Sequence, residues 1–432
     1  MFNIFKIIIK KIYKLINIFL FMPFFLIILF VNLFVKVRFY PIDYLLGGSF
    51  EIQLYLYNKK QNLYNKYIDF FFIEKGFEIF FLKEKISNVF WLKIILKDVM
   101  FIRPSASPFF LIYNYIIKNI YDIIVFFKVE RLKLKTQSYV GVSPYSKENL
   151  KVYEKIKNPV IKLTKKDISE CINEYEELNK LMKIKPNQSI ITFCNRDSAF
   201  KKTQIKNWDF SYHAHRNFPI NDYKLCVSEM IEKNFFLIRM GNITEKKLEL
   251  SNENFFDYSK SNKTSSLMDV YLIYKSKFFV GPASGLDKIS SFFHKPTVFI
   301  NETHIKWRPT HMKNSFFICK KFLNLKNNKF LTFKEMLDPN LKRSKINNYP
   351  LGLYLLQEDY TAAGIKVINN TPEEIYKVVE EMNLDLDGNL ELSNEDLQLQ
   401  KEFWSKFDDE FPFSSMHKIS PFFLRNNQDL LE

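Results

Sequence analysis

KFFVGPASGLDKISSFFHKPTVFIN, residues 277–301, is the stretch on which the fold turns. Lys277–Val280 is a short, mostly apolar run of the kind a buried strand uses. Gly281-Pro282-Ala283-Ser284-Gly285 breaks it, Gly285–His294 reads as a helix, and Thr297–Ile300 is apolar again. Strand, glycine turn, helix and strand make a βαβ unit. The same alternation runs upstream. SIITF (Ser189–Phe193), FFLIR (Phe235–Arg239) and FFDY (Phe255–Tyr258) read as strands. Tyr223, Cys226, Val227, Met230 and Ile231 fall at helical spacing, and a second helix is expected near Ser266–Tyr274. Strands alternating with helices predict an α/β domain with a parallel sheet and right-handed crossovers.

Ligands of open α/β sheets bind beyond the carboxyl ends of the strands, so the residues there form the candidate site. After SIITF come Arg196, suited to a bidentate grip on phosphate, and Asp197, placed to orient it or act as a base; the plainer reading is a surface ion pair. The run His213-Ala214-His215-Arg216-Asn217 offers His213 or His215 as a base near neutral pH, with Arg216 and Asn217 as phosphate or sugar anchors. Two histidines at this spacing also suit a metal, but no carboxylate or thiol nearby completes such a site, and no metal is expected. FFLIR ends in Arg239, beside the permissive Gly241, and reads as a phosphate contact or a salt bridge to a loop. The turn at Ser284-Gly285 opens a helix, where unpaired N–H groups favour an anion. Asp257 and Asn301 stand at strand ends as sugar contacts. The turn matches neither G-x-x-x-x-G-K-[ST] nor G-x-G-x-x-G, which argues against an ATPase and a dinucleotide-dependent dehydrogenase.

The rest of the chain is organised around this domain. A length of 432 residues favours two or three domains. Residues 37–186 read as a first α/β domain, with Ile68–Phe72 as a strand, Phe90–Leu96 as a helix, a glycine turn at Gly47-Gly48-Ser49 and a charged helix over Thr164–Met182. Lys185-Pro186-Asn187 breaks the pattern, residues 187–390 form the second domain, and 391–432 form a helical tail packed back on the body. Thr371-Pro372-Glu373-Glu374 opens a helix with a capping box.

Residues 1–36 read as a membrane segment. Lys6, Lys10, Lys11 and Lys14 fall on one side of a helix, with Phe5, Ile8, Ile9 and Ile12 largely on the other. Leu15–Val35 then carries no charge and is long enough to cross a bilayer. The lysines before it argue for an inside N-terminus, while Lys36 and Arg38 directly after it blunt that bias. A monotopic or re-entrant anchor with the body in the cytoplasm is preferred over a single span. The net charge of +16 has two readings, attraction to phosphates or a general Lys-rich bias. No RNA-binding aromatic signature or zinc-finger spacing is present, so nucleic acid is not an expected partner. The four cysteines form no C-x-x-C pair and suit a reducing compartment.

Taken in order, HAHRN (213–217), IRMG (238–241), FDY (256–258), GPASGL (281–286) and FIN (299–301) resemble an uncharacterised bacterial family of putative glycosyltransferases. VINNTPEEIYKVVEEM (367–382), LQLQKEFW (397–404) and SPFFLRNN (420–427) are similar to its late helix and tail. The family's Gly-His pair early in the first domain has no counterpart, since Leu46-Gly47-Gly48-Ser49 stands there. The resemblance implies two Rossmann-like domains of the GT-B type behind the apolar N-terminal helix. The second would hold a nucleotide-sugar and the first a glycan or lipid-linked acceptor, without metal or other cofactor, at the cytoplasmic face of a bacterial inner membrane. An epimerase or hydrolase acting on nucleotide-sugars, and a non-catalytic membrane-bound glycan-binding protein, are the rival readings.

Overall fold

The computed structural model describes residues 2–42, 50–61, 67–73, 77–78, 83–84, 88–97, 108–129, 132–134, 155–204, 211–305, 314–338, 356–407 and 417–432. The glycine turn at Gly47-Gly48-Ser49 lies outside them. The chain divides into two compact units, Met1–Asn149 and Leu150–Glu432.

In the first unit, Lys36–Ile42 pairs in parallel with Tyr67–Ile73 on one side and Lys133–Leu134 on the other. Register places Arg38 opposite Asp69. The Arg38 guanidinium donates to both carboxylate oxygens at 2.6 and 2.7 Å, and the Tyr55 hydroxyl donates to one of them at 2.7 Å. Both charges are buried, and a buried charge persists only when paired and hydrogen-bonded. The expected helix after this sheet is present at Val89–Ile95, capped by Asn88.

The N-terminal segment is one continuous helix, Phe2–Phe34, running through Pro23. At 1.5 Å per residue it is about 50 Å long. One stripe, Asn17, Ile18, Phe21 and Phe25, is buried. There Tyr115 of the helix Pro108–Phe126 packs edge-on against Phe21 and its hydroxyl donates to Asn17 Oδ1 at 2.8 Å. From Leu15 onward the other faces are mostly apolar and exposed; Phe19 and Phe34 are 79% and 75% accessible. Lys11–Phe34 is long and apolar enough to cross a membrane, with a mean hydropathy of 2.5. Phe109–Phe126 meets the same test at 1.4, but is more buried.

The second unit is mixed α/β around a seven-stranded sheet whose strands all run parallel. In space they lie in the order His417–Ile419, Ser315–Cys319, Thr297–Glu302, Phe278–Gly281, Ser189–Phe193, Phe235–Arg239, Phe255–Asp257. The chain therefore starts in the middle, adds two strands outward, then returns to the other side of the first strand. This is the order of doubly wound sheets, with its reversal between Ser189–Phe193 and Phe278–Gly281. Alternate side chains serve opposite faces. Ile191, Phe193, Phe235 and Leu237 join one core with the helices Lys224–Glu232 and Pro372–Leu386. Ile190, Phe236 and Ile238 are buried outside that core. The helix Lys165–Met182 belongs to this unit and packs on Ser266–Lys275, with Tyr175 edge-on to Tyr271. Thr371 caps its helix through a capping box with Glu374, as its sequence predicts. The tail contributes helices and also the edge strand His417–Ile419.

Gly281 ends its strand where a side chain has no room. A Cβ there would lie 2.9 Å from the Cys194 sulfur and 3.1 Å from the Phe279 ring. Gly281→Ala is expected to destabilise the second unit by roughly 1–3 kcal/mol through overpacking. The double variant Gly281→Ala/Cys194→Ala should recover part of that loss in urea unfolding. No recovery would place the strain elsewhere.

Candidate functional site

The two strands at the sheet reversal are laced together just past their ends. The Cys194 N–H donates to the Val280 carbonyl at 3.0 Å. From this point the chain leaves as Cys194-Asn195-Arg196 on one side and as the 281–285 turn on the other. Arg196 Nη1 and Arg216 Nη2 both donate to the carbonyl oxygen of Ala283, at 3.4 and 2.9 Å. Arg216 is set by the 3-10 helix Ser211–Arg216, which closes with the Asn217 N–H on the Ala214 carbonyl. The Phe218 N–H ties this segment back to the Arg196 carbonyl. Burial first, and the neighbouring Arg216 charge next, hold the Arg196 guanidinium below its usual range. Two guanidinium groups thus converge on one carbonyl oxygen, an arrangement whose chemistry suits an anion.

The turn itself departs from expectation. Its amides are taken by the protein's own carboxylates: the Ala283 N–H donates to Glu302 Oε1 at 2.7 Å and the Ser284 N–H to Asp287 Oδ1 at 2.9 Å. Asp287 also pairs with Lys288. Gly285 occupies the cap of the helix Leu286–Phe292. Ser284 and Gly285 thus stand next to the residue on which the arginines meet, with the Ser284 amide already engaged by Asp287.

Arg239 also stands differently. It is fully buried. Its Nη1 donates to the Lys246 carbonyl at 2.6 Å and to Asp257 Oδ2 at 3.0 Å, and its Nη2 donates to Asn195 Oδ1 at 3.1 Å. The guanidinium spans three loops at the strand ends and faces no open space, so it braces the site from beneath. Asp257 is its counter-ion and accepts from Ser259 as well. Asp197 has both oxygens occupied by backbone amides, those of Ala199 and Glu245, each at 3.0 Å. A carboxylate so engaged fixes a loop and is poorly placed as a base. Gly241 sits at φ +135°, a conformation that L side chains rarely adopt. Asn301 exchanges hydrogen bonds with Asn370, each backbone N–H donating to the other's side-chain oxygen.

Four residues that the sequence reading passed over complete the site. Arg216, Asn301, Glu302, Thr303 and His304 line a narrow crevice against Pro282 and Ala283, with an enclosed volume of about 10 Å³. The Thr303 hydroxyl and His304 Nδ1 are 2.7 Å apart. Lys320 is buried and donates to the Asn217 carbonyl and to Asn369 Oδ1, both at 2.8 Å. Burial pushes its ammonium down to about 7, and the charges of Arg196 and Arg216 act in the same direction. His213 packs on Tyr212 at 4.1 Å between ring centres and is partly exposed, whereas His215 is buried against Tyr360 and His304. Among the described residues no group of three His, Cys, Asp or Glu side chains is placed to hold a metal ion.

No protein-family model and no curated protein matches the chain. Two solved structures of the wall teichoic acid polymerase TagF, one of them a point variant, are similar to it at 12% identity, covering 61% of this chain and 70% of theirs. Their TM-scores are 0.25 for the variant and 0.23 for the other, too low to equate the folds.

Two outcomes follow from burial. Arg239→Ala would leave Asp257 without its cation and is expected to cost about 3–5 kcal/mol in urea unfolding; a loss well under 1 kcal/mol would contradict the bracing role. His215 is pushed from 6.5 down to about 2, chiefly by burial and then by the neighbouring His304. The unfolded chain therefore takes up a proton below about pH 6.5 that the native chain refuses, and stability falls on acidification. The melting temperature should drop less between about pH 7.5 and about pH 5 in His215→Phe than in the parent. Equal drops would show that this ring is not the acid-sensitive group.

Proposed function

We propose that the chain is a membrane-attached glycosyltransferase. It moves a sugar from a nucleotide-sugar to a cell-surface glycan or lipid-linked acceptor, on the cytoplasmic face of the membrane. The observation that carries this reading is the meeting of Arg196 and Arg216 on the Ala283 carbonyl, at the reversal point of a doubly wound sheet. Glycosyl transfer breaks the bond between the anomeric carbon and a phosphate oxygen, and the electron pair stays with the departing diphosphate. Guanidinium groups already in place stabilise that charge without reorganisation. A phosphate oxygen would replace the Ala283 carbonyl as their acceptor, with Lys320 adding charge behind them.

The acceptor hydroxyl must lose a proton as its oxygen joins the anomeric carbon. His304 is assigned this role, because its ring lines the crevice with Arg216 and its Nδ1 lies 2.7 Å from the Thr303 hydroxyl. His213 is not among the crevice-lining residues. The long, exposed apolar helix Phe2–Phe34 suits an enzyme whose acceptor is held at a bilayer.

Calorimetry with UDP, GDP, CMP and TDP tests the donor half of this reading. At least one is expected to bind, and Arg216→Ala or Arg196→Ala should weaken it by about tenfold to a hundredfold, as the loss of a charge-assisted hydrogen bond predicts. His304→Asn should retain nucleotide binding and lose transfer in a mass-spectrometric donor screen. Failure of all four nucleotides to bind would defeat the proposal, and donor loss without acceptor would turn it into a hydrolase.

A further inference from the structure

Beside the crevice lies a much larger space. A cavity of about 370 Å³ is lined by His215, Asn217, Lys320, Gln357 and Asn369 on its polar side. Leu325, Ile365 and Val367 supply an apolar wall, and Ala214, Thr361 and Lys366 complete the lining. One segment divides the two spaces: Arg216 lines the crevice, while its neighbours His215 and Asn217 line the cavity. The His215 ring lies 6.0 Å from that of His304, on the crevice side.

His215 is 3% exposed, and neither of its ring nitrogens has a hydrogen-bond partner among the described residues. A neutral imidazole carries one donor and one acceptor. Leaving both unmet in a buried site costs free energy, which a ligand able to donate and accept would recover. Asn369 accepts from Lys320 through its oxygen, which leaves its amide as a donor. The crevice offers only about 10 Å³ of water-sized space, far too little for a nucleoside. The organic part of any donor must therefore lie elsewhere. The cavity is of the size of small-molecule sites, roughly 300–1,000 Å³.

We propose that this cavity seats the nucleoside of the donor, an inference that rests on the transferase reading above. A nucleobase has flat apolar faces and an edge of alternating donors and acceptors. The Leu325, Ile365 and Val367 wall fits the first, and His215 with the amides of Gln357 and Asn369 fits the second. A sugar, with hydroxyls all round, would leave that wall unused. The Arg216 and Asn217 pair, adjacent in the chain, then holds the diphosphate and the nucleoside on either side of one short segment.

The test compares the full chain in detergent with its Thr361→Trp variant, whose substituted side chain stands at an exposed position on the cavity lining. Inorganic pyrophosphate, UDP, CDP, GDP and TDP are titrated into each. At least one nucleoside diphosphate should bind the parent roughly tenfold or more tighter than pyrophosphate. Thr361→Trp should erase that advantage while pyrophosphate still binds, which also shows that the variant is folded. If no nucleoside diphosphate exceeds pyrophosphate, or if the advantage survives in Thr361→Trp, the nucleoside assignment is overturned and the arginine grip stands. If pyrophosphate and every nucleoside diphosphate fail to bind the parent, the transferase reading falls with it.

Discussion

A guanidinium taken wholly out of water needs acceptors for its N–H groups, and Arg239 imposes that demand at the centre of the site, where both of its Nη atoms are met. It sits at the end of the strand Phe235–Arg239 and draws in Asn195, Lys246 and Asp257. Those partners belong to loops that leave neighbouring strands or connect them. Asn195 immediately precedes Arg196, so the position of the first crevice arginine is inherited from the buried one. Asp197, one residue further, is pinned by the amides of Ala199 and Glu245. The loop that carries Arg196 is therefore fixed on both sides, one side by a charge and the other by backbone. Pre-positioning of this kind lets a site stabilise an anion without first ordering its own side chains.

The polarity of the 281–285 turn is the second constraint. Glu302 and Asp287 take the amides of Ala283 and Ser284, and the Ala283 carbonyl points to the arginines. Acidic side chains thus sit behind the turn while cations sit before it. The charge balance is local: Glu302 and Asp287 favour the charged form of Arg196, against burial and Arg216, which oppose it. Lys320 adds to the same positive cluster from the end of Ser315–Cys319.

Much of the second unit was legible because short apolar runs alternated with helical stripes between Ser189 and Asn301, and the structure returns those strands and helices with only small shifts of their ends. The strand order was not written there, since pairing partners are set by long-range packing. Ser315–Cys319 was missed although its sequence, SFFIC, resembles the other strands, because no turn-and-helix pattern leads into it. His417–Ile419 is three residues long and shows no period at all. At the candidate site, strand ends pointed to Arg196 and Arg216, which the structure brings together on one acceptor. They pointed equally to Arg239, because a strand-end arginine looks the same in sequence whether it faces a crevice or a packed loop; only Asn195 and Asp257 closing on it separate the two. Glu302 and His304 lay just past Asn301, within reach of the same rule about strand ends, and Lys320 lay past the strand that went unread.

All four thiols, Cys171, Cys194, Cys226 and Cys319, are buried, and all belong to the second unit. The Cys194 thiol is pushed up to about 12 by burial, so in the native fold it carries almost none of the thiolate that alkylating agents attack. Sulfhydryl chemistry on the intact chain is therefore silent until the sheet around these residues opens. The molecule carries an internal clock for the breathing of its larger half, one that stays blind to events among the N-terminal helices.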